Sequence, residues 1–497
     1  MAGHSNPKNY TELEKIFHPQ SVAIVGVPSG SGQATMASGF LNSLLELKFQ
    51  EIHSLYPVNP KMDEVEGLKC YKNLLEIDGE VDHVISMVPA HVVPQLVEDC
   101  VTKKVNSVHF YTAGFSETGD PAMVEKEKEL ITKLKDAGIR AIGPNCMGLY
   151  VPSERIGFMN GFPPESGNVF LLSQSGANAG DVVHGLAKRG VRFSKAVSFG
   201  NGADIKAHHL LNYAAQDPET EVVAAYMEGV QEGRDFFQAL KMCASIKPTV
   251  ILKGGIHAAG ARAANSHTGS LAGSIQIFEA ACRQAGAMRA ETMDDLHDLI
   301  ITLTTNAKSI KNSGVALVSG GGGYAVLSSD AIATAGLDVP QMPTETVEQL
   351  REFIPVAGTS VNNPIDTNLS DKDLQVKMLG IVANSTVTDV VFTNAQFNTP
   401  RKNKEQETPA DKTESVRSES LESANTIASL QNQTKIPFIA IQRTRSFGEL
   451  AGIANDTFAN EAYRNGIAVY PTVSRAARSL GLILDWRKRR TGLPEIF

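Results

Sequence analysis

Short β-branched, apolar runs recur along the chain, each followed by a Gly- or Pro-rich turn and then by a helical pattern. They are Ser21–Val25, Val81–Val88, Val105–Tyr111, Val169–Leu172, Val222–Met227, Thr249–Leu252, Val315–Val318, Val387–Thr393 and Ile436–Ile441. This alternation predicts parallel sheets with helices on both faces, an α/β chain of doubly wound architecture. Three blocks emerge: 10–150, 151–305 and 310–497, the last set off by the polar break Asn306–Ser313. Within the third block, Thr399–Ser423 holds almost nothing apolar except Val416 and Leu421. That composition predicts a solvated insertion, a mobile loop leading into an exposed helix.

The length of 497 residues agrees with three blocks, at about 150 residues per domain. A net charge of −8 offers no basic field for nucleic acid. No apolar run approaches the roughly 20 residues that cross a membrane, and the first residues show no apolar leader region. The five cysteines are widely spaced, without CxxC or zinc spacing, so the expected setting is reducing and cytoplasmic, with no metal site. The 42 glycines cluster at strand ends, which favours a protein that handles phosphates or nucleotides.

Candidate chemistry begins after the first strand. Gly26, Gly30 and Gly32 precede a helix, where close backbone approach and helix amides suit a phosphate. The spacing G-x3-G-x-G is not the dinucleotide fingerprint. The second strand is followed by Lys61, where an NAD site would want an acid. A cation there suits an extra phosphate, as on coenzyme A or NADP. Pro89 and the segment Tyr111, Thr112, Ala113 complete the crevice at the strand ends.

The second block offers another anion site. Ser173, Gln174, Ser175 and Gly176 join an apolar strand to a helix, with Ser173 or Ser175 as its cap. Further on, thirteen of the 20 residues from Gly254 to Gly273 are Gly, Ala or Ser, and they surround His267. A pliant, small-residue loop without ligand partners suits a nucleophilic or proton-carrying histidine rather than a metal ligand. Glu228, at the end of the strand Val222–Met227, is a candidate to fix its tautomer.

The ordered set Tyr56–Lys61 (YPVNPK), Thr112–Phe115 (TAGF), Gly143–Gly148 (GPNCMG), Ser173–Ala177 (SQSGA) and Ser266–Gly273 (SHTGSLAG) resembles the ADP-forming acyl-CoA synthetases, relatives of succinyl-CoA synthetase. It is most similar to the CoA-binding α subunit of the ADP-forming acetate–CoA ligases, over about residues 10–490, and the third block carries Asn363-Pro364-Ile365-Asp366. The resemblance implies a Rossmann-like CoA-binding domain over 10–150. It implies a flavodoxin-like domain with a phosphohistidine loop over 151–305, and a second flavodoxin-like ligase domain over 310–497. In this likeness His267 is transiently phosphorylated, Glu228 holds it, and Ser173–Gly176 receive the phosphoryl group. Ser29, Gly30, Ser31, Lys61, Tyr111, Thr112 and Ala113 fall where the family binds CoA, alongside Gly26 and Pro89. Asn145 and Cys146 fall beside the CoA thiol, with no nucleophilic role implied for Cys146.

Two departures stand out. Gly180 lies where succinyl-CoA synthetases carry an aromatic residue, and the glycine turn Gly320–Gly323 is richer in glycine than usual. No ATP-grasp domain is found, so ATP, ADP and Mg²⁺ are expected on a separate β subunit, in an α2β2 assembly. A small carboxylic acid is the implied substrate; acetate, propionate and sulfoacetate all fit. A CoA-binding regulatory or scaffold subunit with an idle histidine is the competing expectation, and the glycine spacing disfavours an NADP oxidoreductase.

Overall fold

A computed structural model describes residues 7–28, 38–262, 274–367, 369–395, 408–443, 448–490 and 496. The chain packs as two compact units, one from residues up to 187 together with 192–291, the other from 188–191 and 292–495.

The first unit holds two sheets. The first sheet comprises β1 (Ser21–Val25), β2 (Ser54–Val58), β3 (His83–Ser86), β4 (Ser107–Phe110) and β5 (Arg140–Ile142), all parallel in the order β2-β1-β3-β4-β5. Ala23, Val84, Val108 and Ala141 are fully buried in these strands, as expected where helices cover both faces. The second sheet comprises β6 (Gly148–Tyr150), β7 (Val169–Ser173), β8 (Phe193–Ser198), β9 (Val222–Met227), β10 (Thr249–Lys253) and β11 (Met288–Ala290), in the order β11-β10-β9-β7-β8-β6. Only β6 runs antiparallel to its neighbour. Ser198 and Tyr226 pair with Ser173, so the ends of β7, β8 and β9 lie level.

All nine apolar runs fall on strands. The short strands β5, β6 and β11 gave too few residues for a pattern, and β8 was masked by Lys195 at its centre. That lysine is fully buried, with Nζ 3.1 Å from Asp217 and 2.6 Å from Glu219.

The second unit carries one parallel sheet: β12 (Val315–Ser319), β13 (Ile365–Asp366), β14 (Val390–Asn394), β15 (Phe438–Ile441) and β16 (Ala468–Tyr470), ordered β13-β12-β14-β15-β16. The helix Met293–Thr304 packs with this unit, its start fixed by a capping box between Thr292 and Asp295. Residues 399–407 of the polar tract lie outside the described residues. From Thr408 the chain forms the helix Pro409–Thr434, exposed over its first half and anchored by Ala424, Ile427 and Leu430 in its second. No helix among the described residues is long and apolar enough to cross a membrane. Apart from a small hairpin at Glu64–Lys69, these three sheets are all that the described residues form, and none belongs to an ATP-grasp module.

A buried ion pair ties the first unit together. Asp204 accepts Arg140 Nε at 2.9 Å, Arg140 Nη2 at 3.2 Å and the Ala141 amide at 2.8 Å, with Lys135 Nζ at 3.1 Å. Burial alone would raise the Asp204 carboxyl, but the Arg140 guanidinium outweighs it and holds the carboxyl below its usual value. Asp204→Ala is expected to cost about 3 kcal/mol, because it strips a largely buried guanidinium of its two-bond partner and leaves it only Glu12, 2.7 Å from Nη1. A carboxyl with a depressed folded pKa stabilises above its unfolded value, near 3.9, and loses that contribution as pH falls through the folded value. The gap between wild type and variant in urea unfolding should therefore be full at pH 7 and shrink below about pH 4.

Candidate active site

The carboxyl ends of the first sheet form one edge. β1 leads to β2 on one side and β3 lies on the other, which makes the gap above β1 the topological switch point where such sheets bind ligands. Gly26 sits there at φ +96°, its amide donating to Val58 O at 2.9 Å. A β-carbon on it would come within 3.0 Å of Val88 Cγ1. Asn59 Nδ2 donates to Val27 O at 2.6 Å and Asn59 Oδ1 accepts the Lys61 amide at 2.8 Å, so the turn bearing exposed Lys61 is tied to the β1 loop. Pro89 and Ala113 are exposed on this edge. Thr112 is buried, its Oγ1 donating to Val88 O at 2.7 Å, and the Tyr111 ring packs edge-on to Phe40 at 5.2 Å. Ser29, Gly30 and Ser31 lie outside the described residues.

The edge ends at Asn145 and Cys146. Asn145 has φ +56° after the cis Gly143–Pro144 bond, and its amide donates to Thr112 O at 3.0 Å. Cys146 is buried, its thiol 3.6 Å from Phe110 O, and burial pushes the thiol pKa up. A thiol held protonated in this way is no nucleophile. Beneath it His109 Nε2 donates to Cys146 O at 3.0 Å, and burial lowers its pKa to about 4, so the ring is neutral.

The second edge begins at Ser173. Its Oγ donates to Ser175 O at 2.6 Å and accepts the Ser175 amide at 3.2 Å. Ser175 Oγ accepts the Asn178 amide at 3.3 Å, so Ser175 is the residue that caps the helix Gly176–Ala187. Gln174 Oε1 accepts the amides of Glu228 and Gly229, the second at 2.9 Å. Glu228 is thereby fixed at the end of β9. Its Oε1 accepts from the Tyr226 hydroxyl at 3.3 Å, while Oε2 is buried without a hydrogen bond among the described residues. Burial and then Glu228 push the Tyr226 hydroxyl up to about 12, so it remains a donor. Lys253 Nζ donates to Glu228 O at 2.6 Å; burial lowers its pKa, against the pull of Glu228. Tyr226, Lys253 and Asn59 were not singled out by the sequence pattern; each is a polar residue at a strand end, which is the signal that could have found them.

The two edges meet. Met147 N donates to Ser198 Oγ at 3.1 Å, and Asn201 N donates to Pro144 O at 3.0 Å. A β-carbon on Gly176 would lie 2.3 Å from Met147 Cγ. At Gly180 it would lie 2.8 Å from Met159 Cε, so a methionine fills the space an aromatic residue would need. His267 and the whole Ser266–Gly273 segment lie outside the described residues.

In the second unit the NPID motif is structural. Asn363, at φ +69°, accepts the Leu317 amide at 2.9 Å and donates to Val315 O and Pro340 O, while Asp366 Oδ1 accepts the Gly321 amide at 2.8 Å. Ser319, Thr367, Gln375, Thr393 and Asn394 line a crevice at the carboxyl ends of β12, β13 and β14.

Comparison with known proteins adds to this geometry. Residues 20–152 match a CoA binding domain, 166–303 a succinyl-CoA ligase like flavodoxin domain, and 315–374 a ligase-CoA domain. The α subunit of ADP-forming acetate–CoA ligase II from Pyrococcus furiosus is 38% identical over 354 residues, 71% of this chain and 76% of that one. ADP-forming acetate–CoA ligase from Methanocaldococcus jannaschii is 36% identical over 357 residues, and this chain spans only 49% of its length. The solved structure of dinucleotide forming acetyl-coenzyme A synthetase 1 from Candidatus Korarchaeum cryptofilum, in complex with phosphate and ADP, aligns with a TM-score of 0.78 at 28% identity. It covers 96% of this chain and 97% of that one.

Gly176→Ala is expected to destabilise the first unit by about 1–3 kcal/mol through overpacking against Met147. Urea unfolding of the double variant Gly176→Ala, Met147→Ala should show non-additive recovery, because the two residues share one space.

Proposed function

On the footing that this chain belongs to the family of ADP-forming acetate–CoA ligase α subunits, we propose that it is the CoA-binding, phosphohistidine-carrying subunit of an ADP-forming acyl-CoA ligase. The reaction joins a small carboxylic acid to CoA at the expense of ATP, releasing ADP and phosphate. One observation carries this function: the CoA-domain edge at Cys146 and the capped helix at Gly176 are packed into a single wall, and beside it Glu228 holds a buried oxygen with no partner among the described residues.

In this function the blocks 10–150, 151–305 and 310–497 serve as the CoA-binding domain, the phosphohistidine domain and the second ligase domain. CoA lies along the first edge, its phosphates toward Gly26, Ser29, Gly30, Ser31 and Lys61. Its thiol end passes Pro89 and Tyr111–Ala113 to Asn145 and Cys146. The five strands of that sheet span about 19 Å, which suits an extended cofactor.

The first step belongs to His267. Its imidazole nitrogen attacks the γ-phosphorus of ATP, and the bond to the ADP oxygen breaks. An ATP-grasp partner subunit supplies ATP and Mg²⁺. Glu228 accepts the N–H of the other ring nitrogen, so that the attacking nitrogen keeps its lone pair. The phosphoryl group is then received at Ser173–Gly176, where the capped helix start offers amides and the Ser175 hydroxyl to its oxygens. A carboxylate oxygen of the acid takes the phosphorus and frees the histidine. The CoA sulfur then attacks the acyl carbonyl, the bond from the acyl carbon to the phosphate oxygen breaks, and the thiol proton leaves with the departing phosphate. Positioning and electrostatic stabilisation of phosphoryl oxygens supply most of the rate.

The test uses the chain co-purified with its ATP-grasp partner and ATP labelled at the γ-phosphate. Wild type should acquire label that is acid-labile and lost on adding the acid substrate and CoA. His267→Ala should acquire none, and Glu228→Gln should label about 100-fold more slowly. Labelling of the His267→Ala chain at the wild-type rate would end this assignment. A screen of small carboxylates in the same complex names the acid.

A further inference from the structure

The loop that follows β8 has no part in the chemistry above, yet it touches both loops at the thiol end of the CoA edge. Asn201 is its centre. The side chain is buried, and Nδ2 lies 2.6 Å from Glu117 Oε2, 3.1 Å from Ser116 Oγ and 3.2 Å from Glu127 Oε2. The orientation of the amide is forced, since the flipped form would set a carbonyl oxygen against two carboxylates. The other end of the amide, Oδ1, is buried with no hydrogen bond among the described residues. Leaving an acceptor unpaired in this way is unfavourable, so the two N–H groups shared among three oxygens on the opposite side are what fix the residue.

The acceptors of Asn201 lead straight to the loop Tyr111–Phe115. Glu117 Oε1 accepts the amides of Gly114 and Phe115, the second at 3.2 Å. Glu127 Oε2 accepts the Ser116 amide at 3.2 Å and the Ser116 hydroxyl at 2.8 Å. The main chain of the same segment grips the other loop: Asn201 N donates to Pro144 O and Ala203 N to Gly143 O, both at 3.0 Å. Gln231 Nε2, from the β9 loop next to Glu228, donates to Asn201 O at 3.3 Å.

We infer that Asn201 is a positioning residue that holds the thiol-end loops, Tyr111–Phe115 and Gly143–Cys146, in register with the second-sheet edge. It acts through Glu117 and Glu127 rather than on CoA itself. Without its amide, two carboxylates face each other with no shared donor. Repulsion between them then pushes Glu117 away from the position in which its Oε1 holds the Gly114 and Phe115 amides. Among the described residues, no hydrogen bond joins Asn201, Glu117 or Glu127 to Gly26 or Lys61 at the nucleotide end of the cofactor.

This inference rests on the proposed CoA orientation, and one experiment separates the two. Titration calorimetry of the full chain is run with CoA and with adenosine 3′,5′-bisphosphate, the nucleotide end alone. Asn201→Ala and Asn201→Asp should each weaken CoA by about 10- to 100-fold, the effect of losing hydrogen bonds to charged groups, and leave the bisphosphate within about 3-fold. The combined variant Asn201→Asp, Glu117→Gln, Glu127→Gln reverses the polarity of both contacts, placing amide donors opposite the new carboxylate, and should return CoA affinity to within about 5-fold of wild type. It also serves where Asn201→Ala does not fold. Equal CoA affinity in wild type and both single variants overturns the inference, as do parallel losses of CoA and bisphosphate or no recovery in the combined variant. Wild type that binds no CoA overturns the proposed function, and this inference with it.

Discussion

Gly176 has no room for a β-carbon, because Met147 occupies the place where one would go. Everything proposed about this chain depends on that contact. Met147 follows Cys146 directly, so the end of the first sheet's edge abuts the first residue of the helix that follows Ser175. The contact is not isolated. Met147 N to Ser198 Oγ, Asn201 N to Pro144 O and Ala203 N to Gly143 O form a line of hydrogen bonds along the same seam. Interiors are packed too densely for such a seam to slide in small steps. The distance between the thiol-end loops and the phosphate-receiving turn is thus a fixed property of the first unit.

The fold itself was largely legible, and the reason is physical. Doubly covered strands need unbroken apolar runs, and such runs are visible in a single sequence at Val169–Leu172 or Val222–Met227. What stayed hidden were strands whose polar residues are satisfied by tertiary contacts. Lys195 reads as a surface residue until Asp217 and Glu219 are seen beside it. Ser173 and Ser175 were both credible caps on sequence, since each hydroxyl can reach a nearby amide. The structure assigns the cap to Ser175, because Ser173 is engaged with Ser175's own amide and carbonyl.

The site was legible in its anchors and not in its connections. Gly26, Lys61, Glu228 and the SQSG turn stand at strand ends, where the sequence pattern already points to ligand chemistry. Asn59 and Asn201 stand there too, but their roles lie in hydrogen bonds to residues 32 and 85 positions away, which no local spacing announces. The NPID motif shows the opposite case. Its conspicuous asparagine and aspartate hold backbone groups of β12 and its turn, so a motif that looks chemical is scaffold in the second unit.

The balance of charge at the receiving turn bears on how it could work. Lys253, which reaches the end of β9, is committed to the carbonyls of Glu228 and Gly254. The turn offers the amides of the helix start, the Ser175 hydroxyl, whose oxygen accepts the Asn178 amide and whose hydrogen is free to donate, and the partial charge of a helix start, equivalent to about half an elementary charge. An ion pair with a lysine or arginine would bind a phosphoryl group more tightly and would also hold it back. A group that must arrive on a histidine and leave on a carboxylate is better served by preorganised dipoles, which stabilise it while it is in transit without trapping it. Glu228 completes the arrangement, since its unpaired buried oxygen favours the approach of a hydrogen-bond donor and is disfavoured when left alone.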